Sequence, residues 1–468
     1  MKRRLLSSLL IVAALAVLPS AAPARAGELQ DDLAARRAAI MRQLAPDDVL
    51  VLWSAPERVF SRDVNYEFRQ DSNFYYLTAI DQPDSILVLM PGVRERNAIL
   101  FISPSDPTRE HWNGHLLTAA EATTQSGITS ILATTAFASF MDSVLAQPRA
   151  RLMVLGPAPG LDGEVSQEYR FANKARERFL GLTVGDAANI LAAARQIKTA
   201  YERKLLQESA DISSEAHKAG MKATHPGAWE YEVEAAIEYV FKKNGDFDWG
   251  YPSIVGSGPN ATTLHYEKST RQMKDGELLL VDAAGLYKYM TVDITRTYPV
   301  NGHFTKAQRD IYEIVLQAQE EGMQVAKPGS RLADIHAKTV EVIKQGLLKL
   351  GLITDATGDQ YRTWYTHSSS HWIGIDVHDV GDNRRPLEPG MAFTIEPGIY
   401  IRESALDNLP KTPANEAFIA RVRPVVQKYK DIGVRIEDSF LLTETGLTRL
   451  SAAVPRTVDE IEAFMKAR

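Results

Sequence analysis

The chain contains no cysteine. That excludes disulfides and thiolate metal sites together, so any metal must be held by oxygen and imidazole ligands. Positive charge is also short: the formal charge is −6 at pH 7, a poor match for gripping phosphate backbones, and no nucleic-acid partner is expected. No low-complexity segment is present, and the one long apolar run, Leu5 to Leu18, is too short for a comfortable membrane span. It follows Met-Lys-Arg-Arg and leads to Ala24-Arg25-Ala26, the layout of a secretory signal peptide. Cleavage after residue 26 would remove four basic residues and no acid, moving the charge from −6 to −10. The mature chain is therefore expected to be periplasmic or secreted with no stable membrane anchor. Without disulfides its stability must come from core burial, for which roughly 440 residues suffice in two or three domains.

What is present divides near residues 190–197. Before that boundary, short runs rich in Val, Ile and Leu (Asp48–Trp53, Ser85–Met90, Ala98–Ile102) alternate with polar stretches compatible with helices. Their length and composition suit buried strands of an α/β layer. A charged segment from Arg195 to Ala223 then reads as one helix. The expected organisation is a signal peptide over 1–26, an N-terminal domain over 27–194 and a second domain over 195–468.

The second domain contains an internal echo. His225-Pro-Gly follows one helical segment and opens another that ends at Gly245, while Lys327-Pro-Gly does the same and ends at Gly346. Glu277–Asp282 follows Gly276 and Met391–Glu396 follows Gly390, so two apolar strands each deliver a carboxylate. Beyond each lies a second acid-bearing strand, Thr291–Tyr298 with Asp293 and Val434–Phe440 with Glu437. Two helices and two acid-bearing strands repeated in order indicate duplicated halves facing each other across a pseudo-twofold axis. Four carboxylates brought together in that way need a cation between them or must take up protons. Oxygen-rich ligation points to Mn²⁺, with Zn²⁺, Co²⁺ or Fe²⁺ as competitors. Bridging carboxylates suit a two-metal hydrolytic site with a shared hydroxide.

These residues resemble the pita-bread metallopeptidases, and within them the aminopeptidase P (Xaa-Pro aminopeptidase) family. The motifs are Gly256–Tyr266, Val281–Thr297, Ser370–Asp379, Thr394–Tyr400 and Val434–Asp438, with Phe68–Leu77 and Glu110–Gly114 matching the family's N-terminal domain. The resemblance implies an α/β N-terminal domain followed by a pita-bread catalytic domain. It implies a metal-dependent exopeptidase that hydrolyses the first bond of peptides with proline second. The alternatives are a prolidase limited to Xaa-Pro dipeptides and a pita-bread protein that binds without catalysis.

The resemblance further implies two divalent ions per subunit, most simply Mn²⁺, with Zn²⁺ or Co²⁺ possible. Asp282 would hold one, His371 and Glu396 the other, and Asp293 and Glu437 would bridge them. Glu396 would also accept a proton from the bridging water. His265, His367 and His378 match non-ligand active-site histidines, with His378 placed to meet the scissile carbonyl. Arg435 shares strand parity with Glu437 and should face the same cleft, with Tyr400 nearby. In the family a glycine often follows the histidine matching His367, where this chain has Ser368-Ser369-Ser370. His111 and His115 read as surface or interface residues, and His217, His225, His303 and His336 match no metal motif. Homodimers or homotetramers built through the N-terminal domain are expected.

Overall fold

The computed structural model describes residues 27–156, 162–245 and 248–467. The expected signal peptide lies outside these residues. Among them, no helix is long and apolar enough to cross a membrane.

Six strands form the N-terminal sheet: β1 (Asp48–Trp53), β2 (Ile86–Leu89), β3 (Ala98–Ile102), β4 (Ser130–Ala133), β5 (Arg151–Val154) and β6 (Thr183–Asp186). Their order is β4-β3-β2-β1-β5-β6. The sheet is mixed, because β1 pairs antiparallel with β2 but parallel with β5. Residues alternate between faces. Leu50 and Leu52 join Ile40, Phe74 and Leu77 on one side, while Val49, Val51 and Trp53 meet Phe137 and Met141 on the other. Burial of both faces explains why these strands read as unbroken apolar runs.

Helix α1 (Ala188–Gln196) leads to α2 (Ala200–Ala223). The single helix expected from Arg195 to Ala223 is therefore interrupted at 197–199. Thr199 starts α2 with a capping box, its hydroxyl accepting from Glu202 N at 3.2 Å and its own N–H reaching Glu202 Oε2 at 2.9 Å. Ile197 is extended and bridges to Met391.

The second half holds two helix pairs, α2 with α3 (Glu230–Lys243) and α4 (Lys306–Val325) with α5 (Leu332–Leu350). The repeat runs deeper than the Pro-Gly turns. Gly227 and Gly329 adopt φ of 89° and 90°, a region glycine enters freely. Five residues before each turn proline's neighbour, Gly220 and Gly322 let the paired helices close in. A Cβ on Gly220 would meet Ile237 at 2.9 Å, and one on Gly322 would meet Thr339 at 3.0 Å. All these partners correspond at one constant offset. The second helix does not stop at Gly346, as the sequence suggested, but runs on to Leu350 and ends on Gly351 in the left-handed conformation. Gly346 instead admits Ile314 of α4, whose side chain would lie 2.6 Å from a Cβ there.

Inside the helices lie β7 (Ile254–Ser257), β8 (Leu278–Asp282), β9 (Leu286–Tyr287), β10 (Met290–Thr291) and β11 (Thr295–Pro299), then β12 (Ala392–Ile395), β13 (Gly398–Ile401), β14 (Ile432–Arg435), β15 (Asp438–Thr443) and β16 (Gly446–Arg449). They pair as β11-β8-β7, β12-β15-β16 and β13-β14, with β9-β10 a hairpin. Asp293 and Glu437 were expected within continuous strands. Each instead occupies an interruption, Asp293 between β10 and β11 and Glu437 between β14 and β15. A bridge from Thr295 to Glu437 joins the two halves there. Breaking the ladder frees each acid to turn toward the centre.

Gly433 in β14 backs this region. A Cβ would stand 2.0 Å from the backbone oxygen of Ala261, which cannot move aside as a side-chain tip could. Gly433→Ala is expected to destabilise the protein by about 3 kcal/mol, read as a lower thermal unfolding midpoint; an unchanged midpoint would contradict this packing.

Candidate metal centre

Asp282 ends β8, Glu396 immediately follows β12, and Asp293 and Glu437 occupy the two strand breaks. His371 lies on an extended segment held beside β12, where Thr394 N donates to His371 O at 2.9 Å and Glu396 N to Ser369 O at 2.8 Å. Three groups of ligand atoms lie mutually within 4.8 Å: Asp282, Asp293 and Glu437; His371, Glu396 and Glu437; and Asp293, His371 and His378. Glu437 belongs to the first two and Asp293 to the first and third. The arrangement thus has two ends joined by two shared acids.

The side chains suit a cation. His371 Nδ1 sits 3.1 Å from Trp372 O, an interaction that places the proton there and leaves Nε2 facing inward. That Nε2 is 3.3 Å from Asp293, 3.4 Å from Glu396 and 3.7 Å from Glu437. Thr295 Oγ1 donates to Glu437 Oε2 at 2.7 Å, whereas Glu437 Oε1 is buried with no hydrogen-bond partner. A buried carboxylate oxygen without a donor is costly unless a cation completes it. Arg435 neutralises one acid, its Nη2 lying 2.5 Å from Asp282 Oδ2. It also stands 3.9 Å from Glu437, so one guanidinium serves four carboxylates and the balance falls to protons or to a bound cation.

The protonation behaviour follows. Burial, then repulsion from Glu437 and Asp282, pushes the Asp293 carboxyl well above the carboxylate range. Burial and Glu437 do the same to Glu396. For His371, burial opposes the charged form, but the surrounding carboxylates outweigh it and raise the imidazole well above its ordinary value. Arg435 and hydrogen bonds hold Asp282 below the carboxylate range against its burial.

All five expected ligands line one cavity of about 510 Å³ together with His265, His367, His378 and Arg435. His378 packs edge-on to His371 with ring centres 4.4 Å apart. Burial, His371 and His265 all lower its pKa. His367 is held neutral, pushed down to about 3 by burial and then by Arg435; its Nε2 meets Tyr400 Oη at 2.8 Å. Tyr400 stands behind the cavity wall, where it also accepts from Arg435 Nη1 at 3.0 Å. Parity did orient Arg435 into the cleft, although β14 ends on it. His111 and His115 are exposed, with His115 Nε2 2.9 Å from Glu121.

Two features escaped sequence reasoning. Tyr251 Oη lies 2.6 Å from both Asp282 Oδ1 and Asp293 Oδ1; only its place just upstream of β7, ahead of Pro252 and Ser253, could have hinted at this. The second is the seat of the serine run. Ser369 is fully buried, with its Oγ 2.8 Å from His336 Nδ1 and 2.5 Å from Tyr365 Oη and also touching Thr339. Ser368, which stands where the family often has glycine, is exposed, and it is the next residue, Ser369, that enters a polar socket formed with His336 and Thr339 of α5.

Because metal must displace protons from groups whose pKa values are raised, affinity should fall as pH drops through those values. Calorimetric titration with Mn²⁺ in buffers of different ionisation enthalpy should show proton release, and Tyr251→Phe should weaken binding by about tenfold or more. Binding without proton release, or unaltered by the substitution, would contradict the arrangement.

Sequence profiles agree with this geometry. That of metallopeptidase family M24 matches residues 204–444, and that of the aminopeptidase P N-terminal domain matches residues 33–153. The Xaa-Pro aminopeptidase of Haemophilus influenzae is 35% identical over 445 residues, covering 93% of this chain and 97% of the relative. Human Xaa-Pro aminopeptidase 3 is 32% identical over 436 residues, 90% of this chain and 81% of that protein. Among solved structures, zinc-substituted Escherichia coli aminopeptidase P in complex with product superposes with a TM-score of 0.82 at 33% identity, covering 94% of this chain and 98% of that one. The chain belongs to metallopeptidase family M24, and within it to the aminopeptidase P branch.

Proposed function

We propose that this chain is a metal-dependent aminopeptidase that removes the first residue from peptides carrying proline second. The convergence of four carboxylates and one imidazole on a single cavity, with Glu437 common to both ligand groups, carries this reading. We assign Asp282 to one ion, His371 and Glu396 to a second, and Asp293 and Glu437 to both. Charge supports two divalent ions, since four carboxylates face only Arg435 as a fixed cation. Mn²⁺ suits the oxygen-rich set, with Zn²⁺ and Co²⁺ as competitors. When bound, such ions act as Lewis acids and lower the pKa of water to near neutrality.

The protein's own groups supply the rest. Glu396, at the cavity wall, is positioned to take a proton from the attacking water and deliver it to the departing nitrogen. His378, kept neutral by burial and its histidine neighbours, can donate to the scissile carbonyl as negative charge develops there. His265 faces the same space. Ile254, Leu264, Pro252 and Val377 give the cavity apolar wall against which a proline ring can pack. The Pro-Leu inhibitor complex of the E. coli relative is in keeping with a proline-accepting cleft.

We further propose export and self-association. Phe60 and Trp112 are 63% and 79% exposed on the N-terminal domain, which supports a homo-oligomer. Intact-mass analysis and light scattering of the exported protein should give a chain beginning after Ala26 and a twofold or fourfold multiple of its mass, and a full-length monomer would refute both.

After chelation and stepwise addition of Mn²⁺, Zn²⁺ and Co²⁺, an Xaa-Pro-Xaa peptide should be cleaved. Turnover of Xaa-Pro dipeptides alone would favour the prolidase reading instead. His371→Ala should lose metal, while His378→Ala should retain it and lose rate by about 100-fold. Equal metal loss in both variants would overturn the division of roles.

A further inference from the structure

The loop that carries His378 is held by residues far from the metal centre. Asp376 and Asp379 flank the histidine, and both are clamped. Asp376 Oδ1 accepts from Ser72 Oγ at 2.7 Å and from Arg69 Nη2 at 3.2 Å. The same Arg69 nitrogen reaches the backbone oxygen of Ile375 at 3.0 Å. Arg195 Nη2, at the end of α1, donates to Asp376 Oδ2 at 2.6 Å and also contacts Asp379 Oδ1. Lys198 Nζ completes the set by donating to Asp379 Oδ2 at 2.8 Å.

The anchor on the N-terminal side is rigid. Ser72 opens a short helix, Ser72–Thr78, whose cap is Asp71, accepting from Asn73 N at 3.0 Å and Phe74 N at 2.8 Å. Gln70 N donates to Tyr289 Oη at 2.8 Å, and Tyr289 projects from the turn between β9 and β10. Arg195 Nη1 meets Asn73 Oδ1 at 2.9 Å. Residues 69–73 are thus fixed to the catalytic domain at several points. The inner members, Arg195, Lys198 and Asp379, are almost wholly buried. Three cations, Arg69, Arg195 and Lys198, face the two carboxylates Asp376 and Asp379, and their multiple hydrogen bonds offset desolvation. Buried networks of this kind contribute more to fixing one geometry than to net stability. Space is tight as well, because a Cβ on Gly374 would stand 2.1 Å from Asp379 Oδ2.

We infer that the N-terminal segment Arg69–Asn73 positions His378 through Asp376, with Arg195 and Lys198 acting alongside through Asp379. The N-terminal domain is therefore a working part of its own chain's cleft. The inference rests on the peptidase reading and on His378 as the carbonyl contact. Arg69, Ser72, Arg195 and Lys198 need not touch substrate to act in this way. Their effect on rate should exist only while the His378 imidazole is there to be positioned.

A double-mutant cycle on the full mature protein with Mn²⁺ and the peptide Ala-Pro-Ala tests this. Arg69, whose side chain is 40% exposed, and Ser72 can be changed with little risk to folding. Arg69→Met and Ser72→Ala are each expected to lower kcat by about five- to tenfold, with KM changed less than about twofold. Bound manganese and the unfolding midpoint should stay at wild-type values, and Arg69→Lys should recover much of the rate. In a His378→Ala background the same substitutions should change kcat by less than about twofold. Equal losses in both backgrounds, loss of metal, or no loss in either background would overturn the inference. Absence of wild-type cleavage would instead refute the peptidase reading beneath it.

Discussion

Four carboxylates share one cavity, and the rest of the catalytic half is organised by the cost of that arrangement. Asp282, Asp293 and Glu437 are each less than 10% exposed. Unpaired charges at such depth would be expelled or protonated, and the raised pKa values of Asp293 and Glu396 are the signature of that pressure. The protein meets it only in part. Arg435 pairs with Asp282, Thr295 satisfies one oxygen of Glu437, and the other oxygen is left without a donor. A site designed for stability alone would complete these partnerships. Leaving them incomplete makes the folded protein receptive to divalent ions and links their binding to proton release.

The duplication accounts for how the acids arrive. Each half supplies a helix pair closed around a small residue, with Gly220 opposite Ile237 and Gly322 opposite Thr339. Each half then supplies one acid at a strand end and another at a strand break. The breaks matter as much as the strands. A residue in a continuous ladder must alternate with its neighbours, whereas Asp293 and Glu437 lie where no ladder dictates their direction. Glu437 N still donates to Thr295 O at 3.1 Å, so one bond ties the two bridging segments across the pseudo-twofold axis.

Much of this was legible in the sequence because it is written locally. Pro-Gly turns, apolar runs such as Leu278–Val281, and acids placed just beyond them announce themselves within a dozen residues. The acids and the histidine that converge on the cavity, and the order of the two family matches, followed from them and from the motif resemblance. Three kinds of feature were not legible. The cap at Thr199, though a T-x-x-E signal, was hidden inside a run of helix-compatible residues. The stop at Gly346 was misplaced because a glycine admitting a neighbouring side chain looks the same as one ending a helix. The partners of the ligands, such as Tyr251 with Asp282 and Asp293, depend on tertiary contacts that no local pattern encodes.

The same distinction separates the two chemical roles around the cavity. Metal ligands would constrain one another: with Asp282, Asp293, His371, Glu396 and Glu437 holding two ions as proposed, the ions would correct small errors in their placement. A side chain that must meet a transient charge on substrate has no such partner in the resting protein. On the proposed reading His378 is in that position, and its loop is clamped over long range by Arg69, Ser72, Arg195 and Lys198. Histidines with closer support need less. His367 is fixed by Tyr400 and by the Ser368 carbonyl beside it, and the Ser369 socket anchors the backbone between it and His371. Precision is thus imposed from outside where the chemistry offers no ion to impose it, which gives the N-terminal domain a reason to be fused to this fold.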